Sequence, residues 1–153
     1  MSFNGEQIYL YGLSAVTTSR GGSDPELGSV RTEGTRQYRY VYNAASASDA
    51  YPGYAMCVLA PSSTGYSATI STTVNTPLLG IVRHATIAAG SYGWVMFRGQ
   101  GSITASATVA AQDNMVIGEN GLFATALTLF KGFVIPNSAI VTGASGGAAI
   151  KLI

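Results

Sequence analysis

Nineteen glycines and five prolines are spread along the whole of this 153-residue chain, and most segments between them are shorter than the ~10–12 residues a globular helix wants. Helices are therefore few, and strands must carry the fold. Tyr66, Ala68, Ile70 and Val74 alternate with Ser67, Thr69, Ser71 and Thr73, with Thr72 the one exception. That is the period-two pattern of a strand with one buried and one hydroxylated face. The alternation returns where Ile103, Ala105, Ala107 and Val109 interleave with Ser102, Thr104, Ser106 and Thr108. From Tyr92 to Phe97 both faces are apolar, as in a strand covered on both sides, which places Trp94 in the core.

Two glycine-rich stretches suggest how these strands pair. Phe97-Arg-Gly-Gln-Gly101 supplies flexible residues for reversing direction between the Tyr92 and Ile103 strands. Asn120-Gly121 is the dipeptide that favours a type I′ hairpin turn. Both imply antiparallel neighbours. Ala85-Thr-Ile-Ala-Ala-Gly90 is echoed by Ala107-Thr-Val-Ala-Ala-Gln112, each followed within a few residues by an apolar strand; two copies suggest a recurring hairpin corner and not a solenoid.

The fold class expected is all-β, a compact antiparallel β-barrel or sandwich with an extended N-terminal arm. The arm is residues 1–18, with Gln7-Ile-Tyr-Leu-Tyr-Gly-Leu13 apolar on both faces if extended, so that it packs on its own domain as a first strand or on a neighbour as a contact arm. Residues 19–35 hold four glycines, a proline and a third of the chain's charges, which reads as an exposed loop. Residues 36–153 form a single β domain.

One domain of this size buries roughly 70% of the surface its unfolded chain exposes, and the nine Tyr, five Phe and one Trp argue against disorder. Charge is the scarce commodity. Lys, Arg, Asp and Glu number 15 where ordinary composition predicts about 38, while Ala, Ser, Thr and Gly make up close to half the chain. A formal net charge of +1 gives no footprint for coating nucleic acid. No segment approaches the ~18 apolar residues of a membrane span, since the stretch 126–135 is short and interrupted by Lys131 and Gly132. The N-terminus lacks the basic and apolar regions of a secretory signal, so synthesis in a cytoplasm is expected.

Catalytic chemistry finds little to build on. His84 is the one histidine and Cys57 the one cysteine, which excludes an intrachain disulfide and a Cys/His zinc site. A Cys57–His84 dyad is weighed against a buried, inert Cys57 and a structural or surface His84, and the second reading is preferred. Asp24, Glu26, Asp49, Asp113 and Glu119 sit in or near turns, where carboxylates cap and solvate more often than they catalyse. Gly99-Gln-Gly101 and Ser145-Gly-Gly147 lack the endings of phosphate or dinucleotide loops. The expectation is a non-enzyme with no cofactor and no metal.

The strongest polar constellation is Arg36-Gln-Tyr-Arg-Tyr-Val-Tyr42. As a strand it puts Arg36, Tyr38, Tyr40 and Tyr42 on one face and Gln37, Arg39 and Val41 on the other. Arginine beside tyrosine suits a contact surface and would also let single-stranded nucleic acid stack. An ordinary strand, with tyrosines half in the core and arginines paired to nearby acids, is an equal alternative.

Glu33-Gly-Thr-Arg-Gln-Tyr-Arg-Tyr-Val-Tyr-Asn43, Ile87-Ala-Ala-Gly-Ser-Tyr-Gly-Trp-Val-Met-Phe-Arg-Gly99 and Val109-Ala-Ala-Gln-Asp113 together resemble small head-associated proteins of tailed bacteriophages, the capsid decoration or cement type. The resemblance spans about residues 33–113, and Gln112 stands where a glycine is expected. It implies a β-rich virion protein, commonly oligomeric, a trimer among the options. Such a protein binds the major capsid protein on the outer capsid surface and stabilises the shell, without nucleic acid or membrane as partners. On that reading Phe3, Ile8, Tyr9, Leu10 and Tyr11 of the arm, with Arg36, Tyr38 and Tyr40, are the expected capsid or subunit contacts. The alternative is a virion β-module that binds host-surface glycan through exposed tyrosines or Trp94.

Overall fold

The computed structural model describes residues 12–22, 24–44, 47–59, 66–70, 78–111, 115–117, 119–125 and 133–151. The fold is all-β, as the punctuation predicts. Its strands are β1 (Val30–Glu33), β2 (Arg36–Asn43), β3 (Ala55–Val58), β4 (Ser67–Thr69), β5 (Leu78–Val82), β6 (Tyr92–Thr104), β7 (Met115–Ile117), β8 (Phe123–Thr125), β9 (Phe133–Pro136) and β10 (Ser145–Lys151). An eight-stranded sheet runs β1-β2-β4-β3-β5-β6-β10-β9, and an additional β2–β6 pairing closes five of these strands, β2-β4-β3-β5-β6, into a ring. Every pairing is antiparallel except β2 with β4. Closure leaves those five strands without a free edge, while β1 and β9 remain the terminal strands.

Alternation along the ring strands feeds two cores, one on each face. Val41, Met56, Ala68, Leu79, Val82 and Val95, at least one from each ring strand, share one cluster with Ala50 and Ile87. Their neighbours Tyr38, Tyr40, Ala55, Ile81, Trp94 and Met96 enter the other, with Ile103, Phe123, Val134, Ala148 and Ile150 from the C-terminal strands. Trp94 is 2% exposed, and Cys57 is fully buried, in agreement with the sequence reading. Residues 92–97 of β6 are buried apart from the half-buried Tyr92.

Asn43, at the end of β2, is the one fully buried polar side chain among the described residues. Its Nδ2 donates to the carbonyls of Ile87, at 2.8 Å, and Ser48, at 3.0 Å, while its backbone exchanges hydrogen bonds with Ser91 and Gly90. It thereby fastens two loops to the ring. The loop around Ile87 turns at Ala88-Ala-Gly-Ser91, closed by Ser91 N–H donating to Ala88, with Gly90 at φ 77°. Val141-Thr-Gly-Ala144 repeats the turn, closed from Ala144 to Val141 with Gly143 at φ 76°; both place glycine where a type II turn requires positive φ. The corner expected at 107–112 runs into residues 112–114, outside the described residues, and the matching turn instead precedes β10.

Three expectations change. No reversal occurs at 97–101, because β6 runs unbroken for 13 residues, pairing with β2 and β5 through 92–98 and with β10 through 98–104. Glycine there kinks a strand that passes from one set of partners to another. Residues 19–35 are not loop throughout: β1 pairs residue for residue with β2 across Gly34-Thr35, with Gly34 at φ 59°. Residues 12–18 belong to the domain, since Leu13 is buried in the core and Thr17 exchanges two backbone hydrogen bonds with Tyr92. The hairpin at Asn120-Gly121 is present, with both residues at positive φ and Ile117 opposite Phe123, though its loop is longer than the two-residue form.

Candidate functional site

The most concentrated chemistry on the described surface gathers where β6 bends. A bulge lets Gln37 face Arg98 while Tyr38 faces Met96, which leaves Phe97 extra on β6 and turns the strand. Gly99 follows at φ 121°, and a Cβ there would sit 2.9 Å from Arg36 Cγ and 3.3 Å from the Thr35 carbonyl. Only glycine lets the β1–β2 hairpin end lie this close. The next carbonyl, that of Gln100, accepts from Arg36 Nε at 3.1 Å and from Arg83 Nη1 at 3.0 Å. Its side-chain Oε1 accepts from Asn137 Nδ2 at 3.0 Å. One backbone oxygen thus uses both lone pairs on two arginines.

Arg31, opposite Tyr38 on β1, is ion-paired to Glu33. Arg98 and Lys151 are cross-strand partners on the adjoining rung. Arg31, Arg36 and Arg83, three of the chain's eight cations, therefore gather around Tyr38 with one of its seven acids, Glu33. Among the described residues no carboxylate pairs with Arg36 or Arg83.

His84 follows Arg83 and shares a 3.2 Å hydrogen bond between Nε2 and the Tyr38 hydroxyl, with the two rings 5.5 Å apart and tilted by 44°. Loss of water around the imidazole, and then the Arg83 charge, hold its pKa below the ordinary 6.5. Burial raises the Tyr38 hydroxyl above its ordinary value of 10.0 against the opposing pull of Arg83 and Arg36. Both effects favour the neutral imidazole, whose role here is that of a hydrogen-bond partner to Tyr38. Among the described residues no group of three His, Cys, Asp or Glu could hold a metal ion, and no helix is long and apolar enough to cross a membrane.

The arm residues Phe3, Ile8, Tyr9, Leu10 and Tyr11 lie outside the described residues. Of the other expected contacts, Arg36 joins the cluster, whereas Tyr38, 1% exposed, and Tyr40, 3% exposed, are core residues of their own domain. That corrects their assignment as outward contact surface: alternate positions of β2 face the seam with the C-terminal strands, where Tyr40 packs 5.0 Å from Trp94. Burial also removes Trp94 as a sugar-stacking platform. The arginines do not all seek acids either, because Arg39 lies 4.6 Å over Phe97 and 5.8 Å over Tyr66, a cation–π sandwich. Sequence reasoning missed Arg83, Arg31 and the Gln100 carbonyl as members of one site. The doublet Arg83-His84 was visible, but Arg36 and Gln100 lie 47 and 17 residues from Arg83.

The geometry defines a small closed β-ring with added C-terminal strands and a charged cluster at the bend of β6. Among solved structures the fold is similar to the N base of head fiber gp8.5 in bacteriophage phi29, with a TM-score of 0.52 over 74% of this chain and 92% of that one. Identity is 14%, so the likeness is one of fold. No protein-family model and no curated protein matches the chain.

Proposed function

We propose that this chain is a structural protein of a phage virion, associated with the head and without enzymatic activity. The observation that carries the reading is the fold likeness to a phage head fiber base over nearly all of that base's length. The finer reading is a decoration protein that binds the major capsid protein on the outer shell as a homo-oligomer, after synthesis in the host cytoplasm. Binding free energy spread over the joints of a shell must be lost before the subunits separate, which is how such a protein stabilises particles. The scarcity of charge suits a domain much of whose surface meets other protein.

The arm supplies the first test. Because Leu13 and Thr17 are built into the domain, the truncation should remove residues 1–11 and stop there. Cryo-electron microscopy of particles should show the full chain as ordered density on the head, and the truncated chain at reduced occupancy while still folded by circular dichroism. Density on the tail, or none, would refute head association; equal occupancy would refute the arm's role.

A further inference from the structure

We propose that the arginine cluster at the β6 bend is a docking site for a carboxylate-bearing protein segment, which, on the reading above, is an acidic loop of the shell. Charge is rare in this chain, yet Arg31, Arg36 and Arg83 are drawn to one place beside a single acid, Glu33. Arg36 and Arg83 each give one N–H to the Gln100 carbonyl, and a guanidinium has five in a planar fork that matches a carboxylate. Neither meets a carboxylate among the described residues. The two like charges are brought together by a bulge and by a glycine at φ 121°, backbone features that pre-set the pair before any partner arrives.

Protein is favoured over nucleic acid and sugar by what surrounds the cluster. The net charge of +1 leaves no track of cations along which a nucleic-acid backbone could run. Stacking surface is lacking too, because the nearby Tyr38 ring is buried, whereas bases and sugars bind where ring faces are open. An acidic loop needs only fork-to-carboxylate pairs and a neutral rim.

The test uses the full chain and three probes: an octaglutamate peptide, the oligonucleotide dT8 and 3′-sialyllactose, titrated while amide and imidazole NMR signals are followed. Octaglutamate should shift the Gly99, Gln100 and Gly101 amides and raise the pKa of His84, because a bound carboxylate offsets the Arg83 field. Arg36→Ala with Arg83→Ala should weaken binding about tenfold, as expected for lost charge-assisted pairs, and Arg83→Gln alone should weaken it less while keeping a donor for Gln100. Arg20→Ala, a charge removed from the 19–35 segment, should change nothing. Shifts scattered over the surface, tighter binding of dT8 or sialyllactose, or equal affinity in the double variant would overturn the proposal. A chain that attaches to particles equally well with and without both arginines defeats this inference alone; one that binds octaglutamate but never particles defeats the virion reading alone.

Discussion

Replacing Asn43 with alanine removes the two hydrogen bonds that hold separate loops to the end of β2, and its cost can be worked from their surroundings. Each bond to a neutral carbonyl contributes about 1 kcal/mol net. The penalty for stranded acceptors stays small, because the Ile87 carbonyl also receives the Ala50 N–H and Ser48 is exposed to water. A modest void at a fully buried position adds to the loss, so the total is about 2–3 kcal/mol. For a domain of this size that lowers Tm by about 5–10 °C and removes a substantial part of a typical stability of about 5–15 kcal/mol. Urea unfolding followed by Trp94 fluorescence should show the midpoint falling with an unchanged slope. Asn43→Asp should cost more than alanine at pH 7, because it puts a desolvated negative charge against two carbonyl oxygens. A loss below about 0.5 kcal/mol, within the range of an ordinary surface substitution, or an aspartate milder than alanine, would refute the role given to Nδ2.

Two further outcomes are expected. Gly99→Ala should cost about 2–3 kcal/mol, since its φ is a glycine conformation and its new Cβ meets the hairpin backbone. Gly34→Ala, at φ 59° with open space around it, should cost about 1–2 kcal/mol, and chemical denaturation that reverses this order would show that the contact at Gly99 yields. For His84 the folded-state pKa lies below the unfolded 6.5, so the unfolded chain binds the proton more readily. Its contribution is complete above 6.5 and is lost as pH falls through the folded value. Between about pH 8 and pH 5 the urea midpoint should therefore decline, less so in His84→Gln; an equal slope in the variant would remove His84 as the cause.

Much of the architecture was legible along the chain because it depends on local chemistry. Alternation marked Ala68 and Ile70 as inward and Ser67 and Thr69 as lateral, which the burial of β4 reproduces. The unbroken apolar run at 92–97 announced a strand between two cores, and Asn120-Gly121 announced a turn. Phe97–Gly101 misled for a physical reason: glycine permits a reversal, a bulge or a close approach, and only the neighbouring strand decides among them. Tyr38 and Tyr40 misled likewise, since a tyrosine on an alternating face suits a contact surface and a core equally well until something packs over it.

The sequence by itself determined that the chain is β, that Trp94 and Cys57 lie inside, and that it has little charge to spend. Those properties follow from backbone freedom, side-chain period and composition, all of which act over a few residues. Only the tertiary structure decided that the charge is gathered, because the pairing of β2 with β6 and the bend of β6 bring Arg36 and Arg83 each to within 3.1 Å of the Gln100 carbonyl. No local pattern encodes that meeting. It arises from closing a ring of strands whose members are dozens of residues apart, and from one glycine at which two of them can touch.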